Sequence, residues 1–79
     1  MEFKKKYDLS DNNDVKKMIT ENESGLYSSV NEDGESVIVR LEKSQGCVID
    51  TNQSNGWIRF DEYDRHGYLI SQGYHGRWR

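Results

Sequence analysis

The chain has 79 residues, of which 33% are hydrophobic and 32% are charged, and its formal net charge is −3. A chain of this length is expected to form a single domain over residues 1–79, with a small core and a surface that offers grooves rather than deep pockets. The net negative charge argues against tight nonspecific binding to nucleic acid, and the single cysteine, Cys47, excludes an intramolecular disulfide and every zinc site built on CxxC pairs.

The N-terminal segment lacks the pattern of a signal peptide, because its lysine run is followed by Tyr7-Asp8 rather than by a hydrophobic stretch. No apolar run approaches the roughly 18 residues that span a membrane. These features predict a cytoplasmic protein in a reducing setting, without a membrane partner. Residues 3–9 are predicted to form an edge strand or an ordered arm, anchored by Phe3, Tyr7 and Leu9.

A short helix is predicted over residues 11–22, with Ser10 or Asp11 as its N-terminal cap. Its apolar residues recur at spacings of three and four and therefore share one face: Val15, Met18 and Ile19. Because this apolar stripe is narrow, the helix is expected to lie on a sheet rather than to stand alone.

From Gly25 onward the hydrophobic pattern changes to a period of two, which is typical of strands. Four short turn signals, each ending in glycine, interrupt this pattern and predict an antiparallel meander of about five strands. The turn signals are Glu32-Asp33-Gly34, Ser44-Gln45-Gly46, Ser54-Asn55-Gly56 and Arg65-His66-Gly67. The predicted fold class is α+β, with the short N-terminal helix packed on this sheet; a small curled sheet or partly open barrel is the alternative.

The two faces of the predicted sheet differ in chemistry, one being aliphatic and the other aromatic and charged. On the fourth strand, Ile58 and Phe60 are predicted to point into the core. Trp57, Arg59 and Tyr63 then lie on the opposite face. A shift of one residue in register exchanges the two sets, so the parity of this strand decides which side chains are available for binding.

The last third of the chain concentrates aromatic residues and arginine, which dominate the energetics of protein interfaces. Both tryptophans, three of the five tyrosines and four arginines lie there. The candidate protein-binding residues are Trp57, Arg59, Tyr63, Tyr68, Tyr74, Arg77 and Trp78. Tryptophan is usually buried, so core packing is the competing interpretation of Trp57, and Trp78 is the preferred exposed anchor.

A second candidate surface is acidic and lies at the first predicted hairpin. Its residues, Glu32, Asp33 and Glu35, are interpreted as a solvated rim that steers the approach of a partner. The aromatic residues also allow an alternative function, binding of single-stranded nucleic acid by stacking, which the net negative charge disfavours. A third alternative is a structural protein whose aromatic residues meet across a homodimer.

Catalytic and metal-binding chemistry is not indicated by any motif. Five acidic residues and histidines are close in sequence, yet their spacing matches no known metal-binding loop. They are Asp61, Glu62, Asp64, His66 and His75. Cys47 opens a predicted strand and is interpreted as a small buried hydrophobe. We therefore expect no enzyme activity, no catalytic residue, no bound metal and no cofactor.

A C-terminal pattern runs through Asn55-Gly56-Trp57-Ile58-Arg59, Tyr63-Asp64, Gly67-Tyr68 and Gly76-Arg77-Trp78. It resembles the C-terminal pattern of small uncharacterised proteins encoded by phages, prophages and plasmids of Gram-positive bacteria, and it covers residues 55–79. The resemblance implies a short, cytoplasmic, noncatalytic protein that binds and disables host machinery, CRISPR nucleases included. The expected function is therefore stoichiometric protein binding, in its most specific form inhibition of a host defence or nucleic-acid enzyme.

Overall fold

A computed structural model of the chain describes residue 3 and residues 6–76. The described residues form one helix and a sheet of five antiparallel strands, which lie in the order in which they occur along the chain. The elements are α1 Asn12–Glu21, β1 Gly25–Val30, β2 Ser36–Glu42, β3 Gly46–Asn52, β4 Ile58–Asp64 and β5 Leu69–His75. The predicted α+β class and the five-stranded meander are confirmed, and the sheet is open, with β1 and β5 as its edges.

Helix α1 is bounded by side chains that satisfy its terminal backbone groups. The carboxylate of Asp11 accepts a hydrogen bond from the backbone N–H two residues later at 2.8 Å, which makes it the N-terminal cap. At the other end the side-chain amide of Asn22 donates to the carbonyl of Met18 at 2.9 Å. The helix predicted over residues 11–22 is therefore confirmed to within one residue at each end.

The hydrophobic core lies between α1 and one face of the sheet. The helix residues Val15, Met18 and Ile19 are buried in the same cluster as side chains from the first four strands. The strand members of the cluster are Tyr27, Val37, Val39, Leu41, Cys47, Ile49 and Tyr63. Full burial of one aliphatic side chain contributes about 1.5–3 kcal/mol, so this cluster is the main source of stability in so short a chain.

The N-terminal arm extends this core. The described part of the arm is neither helix nor strand. Of the two structures predicted for residues 3–9, an edge strand and an ordered arm, the ordered arm is observed. The ring of Phe3 stacks on that of Tyr27, with centroids 4.5 Å apart and planes inclined by 11°. Tyr7 and Leu9 also pack against the core. The three predicted anchors of the arm are confirmed.

The prediction that Ile58 and Phe60 point into the core is wrong. On β4 the inward residues are Asp61 and Tyr63, which are 9% and 7% exposed. Both lie opposite core residues of β3 in the strand register, and that register fixes which face they occupy. The charge of Asp61 is balanced on the same face by Arg59, whose Nη2 lies 3.2 Å from the Asp61 Oδ1. Hydrophobicity alone favours burial of Ile58 and Phe60, but cross-strand pairing overrides it.

Cys47 is 4% exposed, which confirms the prediction that it is a small buried hydrophobe. Burial raises the pKa of its thiol from 9.0 to about 12. Because the thiolate is the reactive form, its fraction at pH 8 falls about a thousandfold below that of an exposed thiol. We expect Ellman's reagent to modify the native protein only through unfolding and to modify the urea-unfolded protein at once. Immediate modification of the native protein would contradict the burial of Cys47.

Candidate protein-binding surfaces

The aromatic residues predicted to form one binding surface are spread over both ends of the β4–β5 hairpin. Trp57 immediately precedes β4 and is 43% exposed, whereas Tyr68 immediately precedes β5 and is 63% exposed. A strand of this length spans about 20 Å, so the two rings lie at opposite ends of the hairpin. Tyr74, which is 62% exposed, pairs with Arg59 near the Trp57 end. The structure thus separates Tyr68 from the other exposed aromatic residues.

Three further residues of the predicted surface are not exposed aromatic or arginine side chains that the structure describes. Tyr63 is a core residue rather than an exposed anchor, and its hydroxyl donates to the carbonyl of Leu9 at 3.3 Å. Burial raises the pKa of the Tyr63 hydroxyl, and the neighbouring Asp61 carboxylate raises it further. Arg77 and Trp78 lie outside the described residues, so the role of Trp78 as an exposed anchor stays a prediction.

The turn that presents Tyr68 is held by Asp64. The Asp64 carboxylate accepts hydrogen bonds from the backbone N–H groups of His66 at 2.9 Å and Tyr68 at 3.0 Å. The bond from Tyr68 is the largest cause of the lowered pKa of Asp64. Because this pKa is lowered in the folded state, the bonds stabilise the turn above the ordinary pKa of aspartate and are lost as the pH falls through the lowered value.

Arg59 lines an open groove on the helix side of the sheet, with a volume of about 820 Å³. The groove lies between the N-terminal arm, the β1–β2 turn and strands β3 and β4, and the Arg59–Asp61 ion pair is part of its lining. Glu32 and Asp33 of the predicted acidic rim line it as well. Glu35 instead accepts a hydrogen bond within the β1–β2 turn at 2.9 Å. The structure therefore brings Arg59 and two residues of the acidic rim to one groove.

The sheet face that α1 does not cover carries most of the exposed aliphatic side chains; we call it the open face. Its apolar residues are Leu26, Val30, Ile38, Val48, Ile58 and Phe60. Leu26 and Val30 are each 59% exposed and Ile38 is 38% exposed, while the other three are half-buried. Several exposed apolar side chains on one face of a small protein are a candidate site of protein interaction.

The ring of Phe60 lies close to Gly73, the residue opposite it on β5. A Cβ atom at Gly73 would lie 3.1 Å from Cε1 of the Phe60 ring, so a larger residue there would force the ring to shift by a few tenths of an ångström. The ring also lies beside that of His75, with centroids 4.7 Å apart and planes inclined by 33°. The Phe60 side chain of β4 thus packs against two residues of β5 on the open face.

A carboxylate, that of Asp50, interrupts this apolar surface beside Phe60. Its Oδ2 lies 3.7 Å from Nη2 of Arg40, and its Oδ1 lies 3.9 Å from Nε2 of His75. Both distances are too long for a hydrogen bond, and among the described residues nothing hydrogen-bonds to the buried Oδ1. Sequence reasoning missed this cluster, because its members come from three different strands.

The five acidic residues and histidines that are close in sequence do not form one cluster in space. Asp61 lies on the helix side of β4, Glu62 lies on the open face, and His66 lies in the β4–β5 turn. Within residues 3 and 6–76, no group of three or more histidine, cysteine or acidic side chains is placed to hold a metal ion.

No known protein family, curated protein or solved structure matches the chain. In the described part of the chain, no helix is long and apolar enough to cross a membrane.

Proposed function

We propose that this chain is a small noncatalytic protein-binding protein that uses the open face of its sheet. The observation that carries the proposal is the exposure of Leu26, Val30 and Ile38 on the same sheet face as the Phe60 ring. A partner that covers these side chains removes apolar surface from water, which contributes about 25 cal/mol for each Å² buried. An apolar centre of this kind is the part of a protein interface that supplies most of the binding energy.

Charged groups on the same face support a specific partner rather than nonspecific adhesion. The side chain of Arg40 is 60% exposed and lies near the carboxylate of Asp50. An exposed arginine at the margin of an apolar patch is a common anchor in interfaces, because its planar head forms directional hydrogen bonds while its stem packs on apolar surface. We expect Arg40 to fix the orientation of the partner.

Replacing Leu26 and Ile38 together by aspartate tests the open face. Leu26 is 59% exposed, but Ile38 is only 38% exposed and an aspartate there would face Asp50 across the β2–β3 pair. We therefore expect the two changes together to cost about 1–3 kcal/mol of unfolding free energy, and circular dichroism establishes that the variant is folded. The introduced charges must be desolvated on binding, and we expect them to weaken partner affinity at least about a hundredfold. The partner is captured with the wild type from lysates of Gram-positive bacteria and isolated, and its affinity for each variant is then measured by titration calorimetry.

The matched control replaces two exposed aromatic residues outside the open face, Trp57→Ser and Tyr68→Ser. We expect this variant to keep the partner that the aspartate variant loses. If the partner is instead lost by the control and kept by the aspartate variant, the aromatic residues indicated by the sequence form the binding surface, and the proposal for the open face is wrong.

The narrower hypothesis, inhibition of a host defence or nucleic-acid enzyme, rests on the C-terminal resemblance. It predicts that the captured partner is such an enzyme and that its activity falls in proportion to the protein added. Binding of short single-stranded oligonucleotides that weakens steeply with salt would instead support the alternative function. The open face disfavours that alternative, because Asp50 and Glu62 offset the charge of Arg40.

A further inference from the structure

Strand β5 is an edge strand without the usual protection against pairing. It contains no proline, lysine, arginine or acidic residue, the types that natural sheets place on exposed edges to block the addition of a further strand. Apart from Gly73, every residue of β5 is exposed. The strand therefore buries little against its own subunit, and its free edge is a template for another strand.

The backbone groups of Gln72 and Tyr74 point away from β4. Hydrogen-bonded and non-hydrogen-bonded pairs alternate along antiparallel strands. In the β3–β4 turn the carbonyl of Trp57 accepts a hydrogen bond from the backbone N–H of Gln53, the residue after β3, at 2.9 Å. Counting the alternation from Trp57, Phe60 directs its backbone groups toward β5, where it pairs with Gly73. The two neighbours of Gly73 then present their N–H and C=O groups at the edge, where no described strand pairs with them.

The regular part of β5 can pair with itself. A register shift opposite Glu62 separates the start of the strand from Ser71–His75, whose central residue is Gly73. If two copies align antiparallel about Gly73, Gln72 of each copy lies opposite Tyr74 of the other, and the two pairs exchange about four main-chain hydrogen bonds. The two glycines meet at the axis, where the absence of side chains permits close approach, and no like charges face each other.

The other edge strand, β1, is a weaker candidate for the same contact. Tyr27 at its centre is 4% exposed and lies against the ring of Phe3. One side of β1 is therefore already covered within the subunit. On β5 every residue except Gly73, which lies close to the Phe60 ring, is exposed, so this strand gains more burial from an added strand.

We infer that two copies of this chain associate through β5, antiparallel about Gly73, to form one continuous sheet. The self-complementary pairing identifies the occupant of the edge as a second copy. The association sets the open faces of the two copies side by side. It goes beyond the proposed function and does not rest on it, because it is measured on the purified chain without a partner.

Sedimentation equilibrium of the purified chain tests this inference. We expect the mass to rise from that of a monomer to that of a dimer as the concentration increases from micromolar to millimolar. The double substitution Gln72→Lys with Tyr74→Lys sets lysines opposite lysines, and we expect it to raise the dissociation constant at least about tenfold. The corresponding glutamate double variant should behave in the same way. An equal mixture of the two should restore a dimer with one copy of each, because opposite charges then face each other.

The matched control, Ser28→Lys with Val30→Lys, places the same charges at outward positions of β1 and should leave the dimer unchanged. Circular dichroism establishes that each variant is folded. The inference is overturned by a wild type that stays monomeric over the whole range, by a dimer that only the β1 substitutions dissociate, or by a mixture of folded lysine and glutamate variants that stays monomeric.

Discussion

Gly46→Ala is expected to remove a large part of the stability of the protein. Gly46 begins β3 with a φ of 124°, and a Cβ atom there would lie 2.6 Å from the carbonyl carbon of Asp64 and would overlap the carbonyl oxygen of Tyr63. These are backbone atoms of the paired strand, so no side-chain rotation can relieve the overlap. We expect a loss of more than about 4 kcal/mol, against a total stability of about 4–12 kcal/mol for a chain of this length.

Urea denaturation followed by far-UV circular dichroism measures this loss. The control is Gly34→Ala in the β1–β2 turn, where φ is 81° and no other atom lies within 4 Å of the added Cβ. That change costs only the strain of a positive φ, about 1–2 kcal/mol. A Gly46→Ala variant as stable as the control would show that Gly46 does not lie this close to the backbone of Tyr63 and Asp64.

The second large effect is expected at Gly67→Ala, in the turn between β4 and β5. The φ of Gly67 is 87°, and an added Cβ would lie 2.7 Å from the carbonyl oxygen of Asn12 and 2.9 Å from the backbone nitrogen of Lys16. This turn therefore contacts the first part of α1 at main-chain distance. Forcing the helix and the turn apart is expected to cost about 1–3 kcal/mol beyond the strain itself.

Gly34→Ala is again the matched control, because its φ of 81° gives nearly the same strain without a neighbour. The difference between the free energies of unfolding of the two variants measures the contact between the turn and α1. Urea titrations of both proteins under identical conditions give that difference. Equal losses in the two variants would show that α1 does not rest against this turn.

Local structure was largely predictable from the sequence because its signals are local. Asp11 and the apolar spacing of α1 predict a helix over residues 11–22, and the observed helix is Asn12–Glu21. The turn glycines predict the divisions between strands, because a positive φ disfavours other residues. Gly34 and Gly67, whose φ angles are 81° and 87°, lie in two of the predicted turns.

The candidate surface was less predictable, because it depends on contacts between strands. Trp57 and Tyr68 are close in sequence, yet they lie at opposite ends of the β4–β5 hairpin. Asp50 carries no motif, and its position beside Arg40 and His75 appears only when β2, β3 and β5 are brought together. Composition indicates that binding residues are present, but it does not show which of them share a surface.

The sequence by itself determined the order of the elements, the turns between them and the single helix, since each depends on residues a few positions apart. Only the tertiary structure decided which face of β4 is buried. Alternation makes Phe60 and Tyr63 point to opposite faces but assigns neither face to the core. Pairing with β3 sets Tyr63 against α1 and leaves Phe60 on the open face, and that choice defines the surface proposed to bind a partner.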